Sequence, residues 1–163
     1  MSSENHQKIW SLLEQVSDPE IPVLSIIDMG IVRDIDTSNN NCLIKITPTY
    51  SGCPAMNTIA TDITTHLLAN GFPCKVELVL SPAWTTDWMT EAGKRKLKAY
   101  GIAPPEDEDI NLNTLFNGQH SVECPLCNSR NTSLVSQFGS TACKALYKCL
   151  DCLEPFDYFK CLK

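Results

Sequence analysis

Four of the nine cysteines in this chain fall into two CxxC pairs, Cys124-Pro125-Leu126-Cys127 and Cys149-Leu150-Asp151-Cys152, separated by 21 residues. Two such pairs bring four soft ligands together from two turns, an arrangement that suits a tetrahedral zinc ion. The two-residue gap lets both sulfurs of a pair face one ion, and backbone N–H groups of the turn support the thiolates. Pro125 stiffens the first turn. Four protein thiolates leave no coordination position for substrate, so the expected role is structural, with rubredoxin-type iron, a cluster or a redox dithiol as lesser alternatives. Between the pairs, residues 131–148 carry enough β-branched and aromatic side chains for a hairpin, which makes the C-terminal region a zinc ribbon. Its expected core is small: Leu134, Val135, Phe138, Leu146, Tyr147, Phe156, Tyr158 and Phe159. Roughly 40 residues with so few apolar side chains need a metal or disulfides to fold. Cys143 and Cys161 lie outside the quartet, each either a spare ligand beside it or a small buried hydrophobe, the second being the simpler reading.

Compartment and charge narrow the class further. The N-terminus, MSSENHQKIW, is polar and has no signal-peptide core. With an odd cysteine count and CxxC pairs, this points to a cytoplasmic protein that keeps its thiols reduced. No stretch approaches the roughly 20 apolar residues that cross a bilayer, so no membrane partner is expected. The net charge is −6, and its distribution matters more than its sum. Residues 1–103 carry 8 basic and 11 acidic side chains, residues 104–123 none and 5, and residues 124–163 carry 5 and 3. Four thiolates on a divalent ion would bring the basic tail to about neutral. No basic face is left for nucleic acid, whose binding rests on neutralising phosphates.

Along the chain, His6 to Val16 places Ile9, Trp10, Leu12, Leu13 and Val16 at helical spacing. Ile26 to Ile35 reads as a strand interrupted at Asp28-Met29-Gly30, and Cys42 to Thr47 as a second strand after a turn of serine and asparagines. Met56, Ile59, Ala60, Ile63, Leu67 and Leu68 mark a helix that begins directly after Cys53 and ends at Asn70-Gly71. Lys75 to Leu80 is a third strand. Thr85 or Thr86 is placed to cap a last helix carrying Trp88, Met89, Ala92 and Leu97. The expected fold class is α+β: a compact αββαβα domain over residues 1–103, an acidic linker over 104–120 that contains paired prolines and the run EDED, and a zinc ribbon of β-hairpins over 121–163.

Cys53 stands apart from the quartet. It follows Gly52 at the expected start of a helix, where N–H groups and the macrodipole would stabilise an anion and so activate a thiol or a metal ligand. Thr47, Thr49, Tyr50 and Ser51 crowd the approach. The plainer reading is a small buried residue at a tight strand-to-helix turn. Asp18 and Glu20 flank Pro19, and carboxylates near a thiolate could complete a transient iron site; equally, Asp18 could cap a turn, Glu20 be solvated, and Asp28 bond backbone where the chain kinks. Cys42 and Cys74 read as strand residues of the core. His6, His66 and His120 have no ligand-like spacing, and no serine triad, phosphate loop or dinucleotide fingerprint appears.

The stretch DPEIPVLSIIDMGIVRDI followed by TPTYSGCPAM resembles the metal–sulfur cluster biosynthesis family that includes SufT-like proteins. In the tail, FGSTACKALYKC and EPFDYFK are similar to the PaaD (PaaJ) family of the phenylacetate pathway. Together the two parts cover nearly the whole chain. The resemblance implies an accessory protein of the phenylacetyl-CoA epoxidase system, whose oxygenase carries a diiron centre and whose reductase carries flavin and a [2Fe–2S] cluster. It implies assistance to iron or iron–sulfur centre assembly in one of those partners. The family's reactive cysteine falls on Cys53 and its DPE segment on Asp18 and Glu20. The expected cofactors are therefore structural zinc and transient iron or a cluster; a homodimer is among the assemblies left open. The competing class is a structural adaptor of the epoxidase complex with no role in metal transfer. Own catalysis is not expected, because no histidine is placed by sequence to activate the Cys53 thiol.

Overall fold

The computed structural model describes residues 3–38, 42–106 and 121–160. Most of the expected acidic linker, together with His120 and Cys161, lies outside these residues.

The first helix, α1 (Ser3–Leu13), buries Ile9, Leu12 and Leu13 on one face. Strand β1 (Val32–Asp36) pairs antiparallel with β2 (Cys42–Ile46), with the register shifting between Val32 and Asp34. β2 then pairs parallel with β3 (Cys74–Leu78), so the sheet order is β1-β2-β3. Parallel neighbours require a crossover, and α2 (Ala55–Ala69) supplies it. This helix packs on α1 and on β3, burying Met56, Ile59, Ile63 and Leu67. Cys42 and Cys74 are register partners across β2 and β3, and burial, with the neighbouring Cys74 charge next, pushes the Cys42 thiol up to about 11.

Two expected elements come out differently. Ile26 to Ile31 is not strand: the segment closes turns through bonds from the Met29, Gly30 and Ile31 amides to the Ser25, Ile27 and Ile26 carbonyls. The Asp28 carboxylate drives this by accepting the amide and hydroxyl of Ser25, each at 3.1 Å. Ile26, Met29 and Ile31 are still buried, so their apolar character predicted burial correctly and backbone geometry wrongly. Gly30 sits at φ +66°, and a Cβ there would collide with the Trp88 carbonyl. The expected last helix is also split. Thr86–Trp88 forms one 3-10 turn, and α3 (Glu91–Tyr100) starts later, capped by Thr90, whose hydroxyl accepts the Gly93 amide at 2.9 Å.

The chain divides into two compact units, residues 1–93 and 94–163. This division falls ahead of the boundary expected after residue 103, because Ile102–Ala103 forms a short strand, β4, that pairs parallel with the last strand of the chain. In the second unit β5 (Thr132–Ser136), β6 (Lys144–Cys149) and β7 (Pro155–Phe159) run antiparallel in sequence, giving the order β4-β7-β6-β5. Its core joins Ala103, Val122, Cys124, Ala145, Tyr147, Cys149, Phe156 and Tyr158. Tyr147 stacks on Phe156 at 5.9 Å between ring centroids and meets Tyr158 edge-on at 5.8 Å. Val135 and Phe138, expected in this core, are exposed.

Candidate metal centre and reactive thiol

The two CxxC turns meet. The sulfurs of Cys124, Cys127, Cys149 and Cys152 all lie within 4.8 Å of one another. Cys124 Sγ is 3.8 Å from Cys152 Sγ, and Cys127 Sγ is 3.5 Å from Cys149 Sγ. A tetrahedral zinc with bonds of about 2.3 Å needs sulfurs about 3.8 Å apart, so the donor set fits the ion in type, number and spacing. Bound there, zinc would supply a cross-link and a charge balance, and no catalytic chemistry.

Each turn is built alike. The residue after the second cysteine takes a left-handed conformation, Asn128 at φ 61° and Leu153 at φ 66°. That bend turns the following amides back onto sulfur, Ser129 onto Cys127 and Glu154 onto Cys152, while within the second turn the Cys152 amide lies 3.5 Å from Cys149 Sγ. The turns are also tied to each other, since Asp151 accepts from the Asn131 side chain at 2.7 Å and from the Ser129 hydroxyl. The thiols cannot all ionise unaided. Amide bonds from Cys152, and further from Asp151, bring Cys149 down to about 7. Cys152 is pushed up to about 12: the Glu154 amide pulls it down, but burial and the adjoining thiols, Cys149 first among them, outweigh that.

Cys143 is not a spare ligand. It precedes β6 and Cys149 ends that strand, a separation of roughly 20 Å at about 3.3 Å per residue. Among the described residues, none of the cysteines is in a disulfide.

Cys53 lies in the crossover that leaves the C-terminal end of β2. Gly52, at φ +92°, makes the turn that presents it, the Cys53 amide bonds the Tyr50 carbonyl at 3.2 Å, and Pro54 stands at the N-cap of α2. Asp18, Glu20 and Tyr50 all act on this thiol. Its pKa is raised, by burial first; the Ala55 amide opposes this, the Glu20 charge adds to it, the Tyr50 hydroxyl opposes it, and the Asp18 charge adds to it. The expected lowering by the helix start is therefore present and outweighed. Asp18 is buried and its Oδ1 accepts the amides of Glu20 and Ile21, both at 2.8 Å, so it also shapes the turn it begins. Among the described residues the quartet is the only group of three or more ligand atoms drawn this close, so Cys53, Asp18 and Glu20 share a field without forming a closed site. Tyr50 is the partner whose role only the structure reveals; its aromatic hydroxyl three residues ahead of the thiol is the signal. Asp28 is structural, accepting the Thr90 hydroxyl at 3.1 Å in addition to Ser25.

Known proteins match both parts. Residues 6–77 match the family model described as iron–sulfur cluster assembly protein, and residues 108–160 match the PaaD zinc beta ribbon domain. The chain is 28% identical to an Fe–S protein maturation auxiliary factor of Porphyromonas gingivalis, over 58% of this chain and 91% of that one. A solved domain of unknown function from Bacillus anthracis is 33% identical with a TM-score of 0.52, covering 56% of this chain and 89% of its own. Fold and site thus define an α+β protein of the iron–sulfur assembly type that carries a four-cysteine zinc ribbon. Over 95% of its length and 92% of the relative's, the chain is 50% identical to an Escherichia coli K12 protein described as a putative component of 1,2-phenylacetyl-CoA epoxidase. The chain belongs to this PaaD family. Among the described residues, no helix is long and apolar enough to cross a membrane.

Proposed function

We propose that this protein is an accessory factor of a phenylacetyl-CoA epoxidase system, acting in the cytoplasm to assist assembly of an iron or iron–sulfur centre in the oxygenase or the reductase. It performs no catalysis on the substrate of that system. The observation that carries the reading is the field around Cys53. Burial and the charges of Glu20 and Asp18 keep the thiol protonated, which is the wrong setting for a nucleophile and a suitable one for a group that ionises only when a cation arrives. Because the site is not closed, an ion held by Cys53 with Glu20 or Asp18 keeps open positions and is readily surrendered. The names of the relatives agree, one being an epoxidase component and the other a maturation factor.

In this reading the quartet holds structural zinc and the ribbon recognises the client. Leu126, Leu150 and Leu153, in or beside the two cysteine turns, are all exposed and would provide apolar contact. The same leucines favour the second reading, an adaptor that only holds epoxidase components together.

The test is to produce the epoxidase components with the wild-type chain or with Cys53→Ser and to measure their iron content. A severalfold loss of iron in one component supports assembly. Full iron content and activity with Cys53→Ser, lost only when the ribbon leucines are changed, would favour the adaptor.

A further inference from the structure

The segments FGSTACKALYKC and EPFDYFK bring Cys143 and Lys160 side by side at the end of the ribbon sheet away from the quartet. β6 and β7 pair Lys144 with Phe159, and the Lys160 amide bonds the Cys143 carbonyl at 2.9 Å, so Cys143 and Lys160 continue the ladder as direct cross-strand neighbours. Directly opposed residues project to the same face with Cβ atoms about 4.5–5.5 Å apart. The shared face is the core face, since the pair continues the rows Ala145–Tyr158 and Tyr147–Phe156. Both side chains are buried, each at 4% exposure.

A lysine buried this far normally has a carboxylate partner. Among the described residues the nearby acid is Asp157, and it faces Lys144 at 4.0 Å and accepts the Ser140 hydroxyl at 3.2 Å. The Lys160 amine bonds the Gln137 carbonyl and lies 4.2 Å from the centre of the exposed Phe138 ring. Desolvation lowers its pKa, with the Cys143 charge opposing, which raises the share of neutral amine. Thr141 Oγ1 lies 3.0 Å from Cys143 Sγ, placed to stabilise a thiolate.

We propose that Cys143 and Lys160 are an oxidative modification site, at which hydrogen peroxide oxidises the thiol and the lysine amine captures it as a sulfur–nitrogen cross-link between β6 and β7. In the first step the sulfur attacks one peroxide oxygen and the O–O bond breaks. The other oxygen leaves as water with the thiol proton; sulfur is oxidised by two electrons to a sulfenic acid and the peroxide is reduced. In the second step the neutral Lys160 nitrogen attacks that sulfur and the S–O bond breaks. Hydroxide takes a proton from nitrogen and leaves as water, giving a sulfenamide that excess thiol reverses. Burial restricts the site to small oxidants.

The experiment treats the full zinc-loaded chain with hydrogen peroxide, digests it with a protease that does not cut at lysine, and analyses the peptides without reduction. The expected product joins the Cys143 and Lys160 peptides, lacks a pair of hydrogen atoms relative to their sum, and disappears on treatment with thiol. Lys160→Arg should abolish it and leave a Cys143 sulfenic acid that dimedone captures, with zinc content showing that the ribbon is intact. Cys143 unmodified at peroxide levels that oxidise the quartet would overturn the proposal. So would a disulfide from Cys143 to Cys161 or another cysteine in place of the cross-link. The wild-type peptide map decides even where the variant fails to hold zinc.

Discussion

In residues 1–93, α1, α2 and the three-stranded sheet bury Ile9, Leu13, Ile44, Ile46, Ile59, Ile63 and Leu67 to 0 or 1% exposure, an apolar interior that needs only itself. In the ribbon, two of the eight residues of the core cluster are the quartet cysteines Cys124 and Cys149, with Cys152 packed against it. Sulfur placed to hold a metal is thus also part of the ribbon's hydrophobic core. The first unit is stabilised by burial and leaves Cys53, in the loop ahead of α2, in an unclosed field. The second packs its thiols into the core and draws four of them into one cluster. The comparison separates a cysteine kept available from cysteines consumed by the fold.

Removing zinc should break that comparison most severely. Structural zinc contributes on the order of 10–16 kcal/mol in small zinc domains near neutral pH. A strong chelator, or Cys149→Ser, is expected to collapse the amide resonances of residues 121–160 in NMR spectra while those of 3–38 persist. Retention of the ribbon resonances without metal would show that its aromatic core is sufficient. Next in size, Tyr147→Ala should cost the ribbon about 3–5 kcal/mol, as for other large aromatic deletions, and Ile59→Ala should cost the first unit about 2–5 kcal/mol. Chemical denaturation followed separately in each unit measures both, and only Tyr147→Ala should weaken zinc retention.

A smaller effect tests the turn that replaced the expected strand. Asp28→Ala leaves the Ser25 amide and the Thr90 hydroxyl without their acceptor and should cost about 1–3 kcal/mol, read as a lowered melting temperature with zinc content unchanged. The smallest concerns Cys53. A thiol whose pKa is raised in the fold contributes stability below the ordinary thiol pKa, and that contribution is lost as pH rises through the raised value. Alkylation followed against pH should therefore show a midpoint above that of a free thiol, and Glu20→Gln should move it downward. A midpoint below the free-thiol range would remove the argument against a nucleophilic role.

Much of this was legible in the residues. The period of Met56, Ile59, Ile63 and Leu67 located α2, the alternation after Cys42 located β2, and the CxxC spacing located the quartet, because each is a local pattern with one dominant physical solution. Where two solutions compete locally, pattern failed. Ile26 and Ile31 suit a strand or a buried turn equally, and Asp28 decides for the turn through bonds to Ser25 and to Thr90, sixty-two residues away. Ile102 and Ala103 lie beside a proline-rich acidic stretch, and only pairing with β7 assigns them to the ribbon sheet.

Composition and spacing alone therefore determined the α+β class and the meeting of four cysteines in one cluster, since ligand type and turn length are properties of short segments. Tertiary structure decided what the remaining thiols experience. Cys53 is raised first by its burial in the fold and then by the charges of Glu20 and Asp18, brought near from more than thirty residues away, and Cys143 faces Lys160 because β6 and β7 pair in one register. Burial and the approach of distant charges are sums over the whole fold, and no local stretch of sequence contains them.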